Sequence, residues 1–394
     1  MRLGVYTDYH YWREGDSHYA ERAFFTFITS LRPLMDSIVV FGRVNPRPGR
    51  SHYRVPDSIG FVPLPHYPSL AHPLAALRGM AGSLRCFWRS LDDVDAVWLL
   101  GPHLLAIGFA VLATLRRKRV FLGVRQDLPR YVESRHPGKR WMKWAASVLE
   151  GAYRLMARRF PVVVVGPKLA ENYRRARRLL AVSVSLVAED QIVDPGEAAA
   201  KPWENGELRI LTVGRLETEK NPLLLADVLA RLRERDPRFR LLICGEGPMR
   251  ADVETRLAEL GVAEHADMLG YVPIDGGLLD LYRSSHAFLH VSWTEGLPQT
   301  LFEAFASGLP VVATAVGGVP AAVGDAALLV EPGDPEPPAA ELLRIAGDAE
   351  LRRRLIESGI ERVRGNTLEA ESRRVAEFFR DGDGTASAPR HTDS

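Results

Sequence analysis

The chain has 394 residues, 46% of them hydrophobic and 25% charged, and its formal net charge is +2. This length exceeds what one hydrophobic core usually supports, and the composition is that of a soluble globular protein, so two domains are predicted. The two cysteines, Cys86 and Cys244, lie far apart in the sequence and argue against a disulfide framework or a cysteine metal site.

Strand-like runs and turns follow one another through the first half, as is typical of an α/β domain. The predicted strands are Leu3–Tyr6, Ile38–Phe41, Ala96–Leu100, Val120–Val124 and Val162–Val165. The N-terminal residues are interpreted as the first of these strands and not as a signal peptide, since no long apolar segment follows Arg2. A cytoplasmic location is therefore expected.

Residues 97–115 contain no Asp, Glu, Lys or Arg, and the basic run 116–119 follows them, as in a membrane span with a positive flank. However, Gly101-Pro102 interrupts the apolar run, and the next apolar run, 120–124, is short. A strand, a turn, a buried helix and a second strand account better for this pattern, so no membrane span is predicted.

The net charge conceals a difference between the two halves. Residues 1–200 carry 29 Lys and Arg against 17 Asp and Glu, whereas the remainder carries 22 against 32. Within the basic half, residues 139–160 form a helical pattern with many cations and with Trp141 and Trp144. Such a helix can lie on an anionic membrane surface, or it can pack as an ordinary helix whose arginines reach solvent. Nucleic acid is not predicted as a partner, because no known binding motif accompanies the charge.

The regular pattern is broken between Asp194 and Pro202, so the boundary between the domains is predicted near Val193 to Glu204. This gives a first domain over residues 1–195 and a second over residues 203–365. A last helix is predicted over residues 366–380, and the polar tail, residues 381–394, is predicted to be disordered.

The second half alternates strands and helices regularly. Its predicted strands are Arg209–Val213, Arg240–Cys244, Ala266–Leu269, Ala287–Val291, Pro310–Ala313 and Ala327–Val330, with helices such as Leu223–Arg235 and Met249–Leu260 between them. Such alternation gives a parallel sheet covered by helices on both faces, and ligands bind beyond the carboxyl ends of its strands. The residues that follow these ends are Gly214, Gly245, Gly247, Gly270 and Glu295. Two facing, doubly wound, Rossmann-like domains are expected.

Two groups of residues after these strands are suited to a nucleotide sugar. Arg215 and Lys220 can hold a diphosphate, Arg through a two-pronged hydrogen bond and Lys as a point charge. Glu295 and Glu303 flank the start of a predicted helix and can accept hydrogen bonds from sugar and ribose hydroxyls. This helix is predicted to begin at Pro298, because proline suits the first helical position.

The mouth of that helix is expected to bind phosphate. Gly296 and Leu297 lie there with unpaired backbone N–H groups and the positive end of the helix dipole.

The motifs resemble those of a known family, the retaining, nucleotide-sugar-dependent glycosyltransferases of family 4, which have the GT-B fold. The resemblance covers about residues 208–335, where the motifs occur in the family's order and spacing. It rests on Gly214-Arg215-Leu216 with Lys220, Cys244-Gly245-Glu246-Gly247-Pro248, Leu269-Gly270-Tyr271-Val272, and residues 295–314 followed by Gly317-Gly318-Val319-Pro320.

The resemblance implies a role for each matching residue. Arg215 and Lys220 would bind the diphosphate and stabilise the leaving group, Glu295 would contact the donor sugar, and Glu303 would bind the ribose. The other implied donor-binding residues are Gly214, Gly245, Gly247, Tyr271, Gly296, Leu297, Pro298, Gln299 and Thr300. No metal ion, cofactor or side-chain base is strictly required, and the last helix is similar to the family's terminal helix, which returns to the first domain.

The sequence departs from the family pattern in three places. The loop after the first strand has one glycine, Gly15, where two adjacent ones are common, and Gly15 is expected near the donor phosphate. Arg125-Gln126-Asp127 stands where many members have a histidine, so Asp127 is a catalytic candidate with Arg125 beside it. Ala321 stands where a glutamate is usual.

We therefore expect a retaining glycosyltransferase that moves a sugar from a nucleoside diphosphate sugar to a hydroxyl of a glycan, glycolipid or small acceptor. The basic first half favours a lipid-linked or anionic acceptor and a peripheral position on the inner face of a membrane. Two alternatives stay open: a catalytically altered relative that binds sugar nucleotide or membrane as a scaffold, and an enzyme that epimerises or hydrolyses its sugar nucleotide.

Overall fold

The chain forms two compact units. The computed structural model describes residues 1–20, 24–46, 53–67, 73–135, 138–183, 185–273, 276–296 and 298–381. The first unit holds Met1–Ser183 together with the segment from Glu369 onwards, and the second holds Val184–Leu368. The tail predicted to be disordered lies, beyond Asp381, outside the described residues.

The first unit alternates strands and helices along the chain. Its elements are β1 (Arg2–Glu14), β2 (Ser17–Ala20), α1 (Phe24–Ser30), β3 (Ser37–Val44), β4 (Tyr53–Arg54), β5 (Gly60–Leu64), α2 (Pro73–Ser90), β6 (Ala96–Gly101), α3 (Leu104–Leu115), β7 (Arg119–Val124), α4 (Leu128–Arg135), α5 (Arg140–Ala157), β8 (Val162–Val165), α6 (Pro167–Asn172) and β9 (Leu179–Val182).

The second unit repeats this alternation. Its elements are α7 (Pro195–Ala199), β10 (Leu208–Val213), α8 (Leu223–Arg235), β11 (Phe239–Cys244), α9 (Arg250–Glu259), β12 (Ala266–Gly270), α10 (Leu278–Ser284), β13 (Ala287–His290), α11 (Gln299–Ala306), β14 (Val311–Thr314), α12 (Val319–Val323), β15 (Ala327–Val330), α13 (Glu336–Gly347) and α14 (Ala349–Arg364). The last described helix, α15 (Leu368–Arg380), lies in the first unit from Glu369 onwards.

The first sheet has a parallel core in the order β5-β3-β1-β6-β7-β8-β9. One face is covered by α2, α3, α5 and α6, because residues from all four helices join one apolar cluster with β6, β7 and β8. On the other face, the rings of Phe24 and Phe379 pack against Trp98, so α1 and α15 lie there. The sheet is thus covered on both sides.

The first strand is much longer than predicted. Strand β1 continues past Tyr6 to Glu14 and pairs with β2 in an antiparallel hairpin, so the predicted end of the first strand at Tyr6 is wrong. The reason is that Tyr9 and Tyr11 stay buried at alternate positions, which continues the two-residue period of a strand. The turn of the hairpin is at Gly15, whose φ is +59°.

The apolar stretch at residues 97–115 forms strand β6, a turn at Gly101-Pro102 and helix α3, as predicted. Helix α3 packs Leu105, Phe109 and neighbouring residues into the core of the first unit. Among the helices that the structure describes, none has both the length and the hydropathy required to cross a bilayer.

The second sheet has the strand order β12-β11-β10-β13-β14-β15, and its strands pair in parallel. Adjacent residues of one strand enter opposite clusters, since Ile210 packs against α8 and α13 while Leu211 packs against α10 and α11. The direction of strand progression reverses between β10 and β13. Ligands of such sheets bind at this reversal, beyond the carboxyl ends of the strands.

The predicted boundary at Val193 to Glu204 lies inside the second unit, later than the division at Ser183 and Val184. The Oδ1 atom of Asp194 accepts hydrogen bonds from the backbone N–H groups of Gly196, at 2.8 Å, and Glu197, at 3.1 Å. An aspartate cap followed by a proline starts a helix. The Asp-Pro sequence therefore begins α7 and is not a linker.

Candidate active site

Two loops flank the reversal of strand order in the second unit: residues 214–222 after β10 and residues 291–296 after β13. The backbone N–H of Trp293 donates to the carbonyl of Glu219 at 2.9 Å and joins the two loops directly. Each of these loops also forms a hydrogen bond with the loop on its other side. The N–H of Leu216 donates to the carbonyl of Glu246 at 3.0 Å, and the N–H of Gly318 donates to the carbonyl of Glu295 at 3.2 Å. The strand-end loops therefore form one connected rim.

Several motif glycines are required by the closeness of these loops. A Cβ atom on Gly245 would lie 1.7 Å from the carbonyl oxygen of Gly214, and one on Gly247 would lie 2.3 Å from that of Leu216. On the other side, a Cβ on Gly317 would lie 1.9 Å from the carbonyl oxygen of Glu295. Loop packing alone therefore requires these glycines, whether or not they also approach a ligand.

The predicted pair Lys220 and Glu295 is in direct contact, although 75 residues separate them in sequence. The Oε1 atom of Glu295 accepts from Lys220 Nζ, from His290 Nε2 at 3.0 Å and from Ser292 Oγ at 2.7 Å. Burial alone would raise the pKa of Glu295, but the hydrogen bond from His290 and the charge of Lys220 lower it to about 2. The buried carboxylate is therefore held ionised.

His290 and Ser292 were missed from the sequence. His290 ends strand β13, and this strand-end position is the signal in the sequence that indicates it. Its Nδ1 atom is buried and has no hydrogen-bond partner among the described residues. The Thr314 hydroxyl donates to the Ser292 carbonyl at 2.8 Å and fixes this turn to β14.

Arg215, the other predicted cation, is not an open anion site in the structure. Its half-exposed guanidinium contacts the carboxylate of Glu217 and lies 3.3 Å from Oε1 of Glu219. The two cations thus each have a carboxylate partner, and a diphosphate would have to replace these partners.

Glu303 is buried on α11, and the Tyr282 hydroxyl donates to its Oε2 atom at 2.8 Å. Burial raises the pKa of Glu303. Among the described residues, Tyr282 is the one side-chain donor to this buried carboxylate. Further donors would stabilise its ionised form, and the two hydroxyls of a ribose would supply them.

The mouth of α11 differs from the prediction in one respect. Pro298 is the extended residue before the helix, with φ −74° and ψ 114°, and helical residues begin at Gln299, so the placement of Pro298 inside the helix is wrong. Gly296 and Thr300 lie on either side of this start, and Leu297 lies outside the described residues.

The remaining base-pocket candidate, Tyr271, follows β12 and is 46% exposed. No group of three or more His, Cys, Asp or Glu side chains in the described ranges is arranged as metal ligands would be.

The first-unit candidates have local partners. Asp127 accepts from the backbone N–H of Arg130 at 3.2 Å and from Asn172 Nδ2 at 3.3 Å, which places it at the start of α4. Arg125 forms an ion pair with Asp8 at 2.6 Å. Gly15 lies in the hairpin turn described above, where Arg13 Nε donates to its carbonyl at 2.8 Å.

A partly buried histidine between β6 and α3, His103, was also missed. The backbone N–H of Leu105 donates to His103 Nδ1 at 3.2 Å, so Nδ1 is an acceptor and the Tyr6 hydroxyl, at 2.8 Å, also donates to it. Burial lowers the pKa of His103 to about 4, so the ring is neutral near pH 7. The interruption Gly101-Pro102-His103 in the apolar run was the available signal.

Comparison with known proteins identifies the second unit. Residues 196–362 match the family model for glycosyl transferases group 1. The second unit is therefore similar to this family over most of its length. The D-inositol 3-phosphate glycosyltransferase of Corynebacterium efficiens is 33% identical over 211 residues, which are 50% of this chain and 50% of that protein. This chain spans about half the length of the curated relatives that it matches, and the resemblance inferred from the motifs is confirmed at the level of the group 1 family.

Solved structures of glycosyltransferases resemble the whole chain in fold. Sucrose-phosphate synthase from Thermosynechococcus elongatus aligns with a TM-score of 0.69 and 17% identity, over 96% of this chain and 98% of that one. Anabaena Alr3699/HepE in complex with UDP aligns with a TM-score of 0.69 and 15% identity, over 96% and 99%. The predicted GT-B fold with two Rossmann-like parallel-sheet domains is confirmed.

Proposed function

We propose that this group 1 glycosyltransferase moves a sugar from a nucleoside diphosphate sugar to a hydroxyl group of a glycan, glycolipid or small acceptor, with retention of configuration. The observation that carries the proposal is the contact between Lys220 and Glu295 at the reversal of strand order, beside the mouth of α11. A buried carboxylate held ionised next to a cation and a helix N-terminus is suited to a ligand that has both hydroxyls and phosphates.

The donor is expected to bind by exchange of partners. Lys220 and Arg215 turn from Glu295, Glu217 and Glu219 to the phosphate oxygens, while the N–H groups at the start of α11 bind the same diphosphate. Glu295 then accepts a hydrogen bond from a hydroxyl of the sugar, and Glu303 accepts hydrogen bonds from the ribose hydroxyls. The two cations stabilise the negative charge that builds on the leaving phosphate in the transition state.

The transfer step requires one bond to break and one to form on the same face of the sugar. The bond from the anomeric carbon to the phosphate oxygen breaks, and the acceptor oxygen forms a new bond to that carbon. The departing phosphate takes the proton of the acceptor hydroxyl. In this scheme the cations supply the charge stabilisation and no metal ion is strictly required.

Names of similar proteins support the choice of substrates. Anabaena Alr3699/HepE has been solved with UDP, and the Corynebacterium relative is named for an inositol phosphate acceptor. We propose a nucleotide sugar as donor and a polyhydroxyl acceptor, free or lipid-linked, for this chain. Two exposed tryptophans on α5, Trp141 and Trp144, support a peripheral position on an anionic membrane surface.

The test is to incubate the purified chain with a panel of sugar nucleotides and acceptors and to measure nucleoside diphosphate release and the anomeric configuration of the product. Release that depends on acceptor, with retention, supports the proposal. Release without acceptor indicates a hydrolase or epimerase, and binding without turnover across the panel indicates a scaffold.

A substitution makes this test specific to the site. Lys220→Ala should lower turnover by about 10²- to 10³-fold, as loss of one charge-stabilising donor does elsewhere. Arg231→Ala, which removes an exposed cation from α8 of the same unit, is the matched control and should retain activity. Equal activity of the two variants would show that the phosphate-binding role of Lys220 is misassigned.

A further inference from the structure

The first unit contains a cavity of about 540 Å³ that the proposed transfer does not use. It is bordered by α4, the C-terminal part of α5 and the turn after α6. Its lining is strongly cationic, and among the described lining residues the one acid is Glu171. The arginines that line it are Arg130, Arg154, Arg158, Arg174 and Arg175.

Most of these arginines have little counter-charge. Within the described part of the chain, no carboxylate lies within ion-pair distance of Arg158, Arg174 or Arg175. Arg130 lies 3.8 Å from Asp127, and Arg154 lies 3.5 Å from Glu150. By contrast, Arg240 of the second unit forms a two-pronged pair with Asp267 at 2.6 Å. Guanidinium groups that line one hollow without carboxylate partners create a positive potential suited to a phosphate.

The carboxylate paired with Arg154 belongs to a buried residue of α5. Glu150 is 2% exposed, and neither of its carboxyl oxygens has a hydrogen-bond partner among the described residues. Burial raises the pKa of Glu150, which favours its neutral form relative to a surface glutamate. Glu150 thus pairs with Arg154 at 3.5 Å, and the charge of the other arginines, Arg158, Arg174 and Arg175, is left for a ligand.

Helix α5 presents an apolar stripe that continues to this cavity. Its exposed residues are Trp141 at 69%, Trp144 at 71%, Val148 at 53% and Leu155 at 65%. At 3.6 residues per turn these four lie within an arc of about 60°, opposite the buried side of the helix. Of the two interpretations of this helix, the membrane-facing one is favoured over the ordinary packed one, because neither tryptophan packs into the core.

The stripe and the cavity are adjacent. Leu155 and Arg158 together line a second hollow, and Arg158 also lines the arginine cavity. Exposed tryptophan and aliphatic side chains enter the interfacial layer of a bilayer, while arginines beside them meet the phosphates of that layer.

We propose that the arginine cavity binds a phosphate group, and that its source is the headgroup of an anionic phospholipid held there when the α5 stripe lies in the bilayer interface. A soluble phosphorylated compound is the other source with the same chemistry. The lipid source rests on the membrane position included in the proposed function, whereas the phosphate site itself does not depend on transfer activity.

The experiment compares the full chain with the variant Arg174→Gln/Arg175→Gln. The matched control is Arg231→Gln/Arg354→Gln, which removes the same charge from exposed positions of the second unit. Recovery is measured by flotation with vesicles of phosphatidylcholine mixed with phosphatidylglycerol and with vesicles of phosphatidylcholine alone. Wild type and control should float with the mixed vesicles only. The cavity variant should need about fivefold more lipid for each arginine removed.

A second readout separates the two sources of phosphate. Glycerol phosphate, which is the soluble part of such a headgroup, is titrated into wild type and the cavity variant and followed by NMR chemical shifts. If glycerol phosphate binds wild type but not the cavity variant, and neither protein floats with the vesicles, the phosphate site is supported and the lipid source is rejected. Equal behaviour of wild type and cavity variant in both measurements overturns the proposal. Neither measurement requires turnover. Failure of the phosphate-site proposal is therefore distinguishable from a lack of transfer activity.

Discussion

At the scale of single residues, Glu295 is the centre of the candidate site. Three donors converge on one of its oxygens, and each comes from a different position: the loop after β10, the end of β13 and the turn that follows. A buried charge with this many partners is stable, and removing one partner leaves it undercompensated. The ionisation of Glu295 therefore depends on the three donors being in place around it.

This ionisation makes the stability of the protein depend on pH. The pKa of Glu295 is about 2 in the folded chain against an ordinary 4.5, so its contribution is full above about pH 4.5 and is lost as the pH falls towards 2. The whole shift corresponds to about 3 kcal/mol as an upper figure. The difference in free energy of unfolding between wild type and Glu295→Gln, measured with urea, should shrink between about pH 6 and about pH 3. A difference that does not change with pH would contradict the assigned partners.

Glu303 should behave in the opposite way. Its pKa is raised by burial, so the folded chain is less stable with this carboxylate ionised than with a neutral group there. We expect Glu303→Gln to raise the free energy of unfolding at neutral pH and to weaken the binding of nucleoside diphosphates. Urea denaturation and calorimetric titration measure the two effects. Loss of stability together with unchanged binding would show that Glu303 is a structural residue only.

At the scale of elements, the site depends on how closely the strand-end loops approach. Gly317, with φ +56°, begins the segment before α12 and packs against the carbonyl of Glu295. We expect Gly317→Ala to displace the Glu295 loop and to reduce both stability and nucleotide binding, because the added Cβ would lie 1.9 Å from that carbonyl oxygen. Denaturation and calorimetric titration measure these losses.

The matched control is Gly261→Ala. Gly261 has φ +68°, and no atom lies within 4 Å of the position of its Cβ, so it shares the backbone strain but not the clash. A non-glycine residue in this conformation costs roughly 1–2 kcal/mol. The control should therefore lose stability and keep nucleotide binding. Equal loss of binding in both variants would show that general destabilisation, and not the loop contact, is responsible.

The elements of the second unit were predictable, and part of the first was not. Buried parallel strands are short apolar runs that end in glycine or polar residues, and β10, β11 and β15 fit this pattern almost to the residue. The extension of β1 was missed because tyrosine, histidine and aspartate alternate in it, and no apolar run marks its length. The hairpin partner β2 lacks an apolar pattern for the same reason.

At the scale of the whole molecule, the two units differ in charge and in surface. The basic unit carries the exposed tryptophans of α5, and the acidic unit carries the residues assigned to the donor. We expect Trp141→Ser/Trp144→Ser to lose recovery with anionic vesicles and to keep nucleotide binding. Flotation and calorimetric titration provide the two measurements, with Leu329→Ser of the second unit as the control for an exposed apolar side chain. Full flotation of the tryptophan variant would exclude α5 as the membrane contact.

The residue types and loops of the candidate site could be predicted, but its contacts could not. Strand-end positions indicated Arg215, Lys220 and Glu295 because carboxyl ends of parallel strands share one edge. Sequence does not show which acid faces which cation. The pairing of Lys220 with Glu295, and of Arg215 with Glu217 and Glu219, depends on how the loops after β10 and β13 fold together. The roles of these residues in donor binding stay predictions.

The two glutamates beside Arg215 have a consequence for the end of the reaction cycle. Glu217 and Glu219 are only a few residues from Arg215 in the chain, so their carboxylates are always close to its guanidinium. They therefore compete with a diphosphate for Arg215 at a high effective concentration. A bound product would thus be displaced from within the protein. Variants that lack these two carboxylates should hold the spent nucleotide longer and turn over more slowly, even though they bind it more tightly.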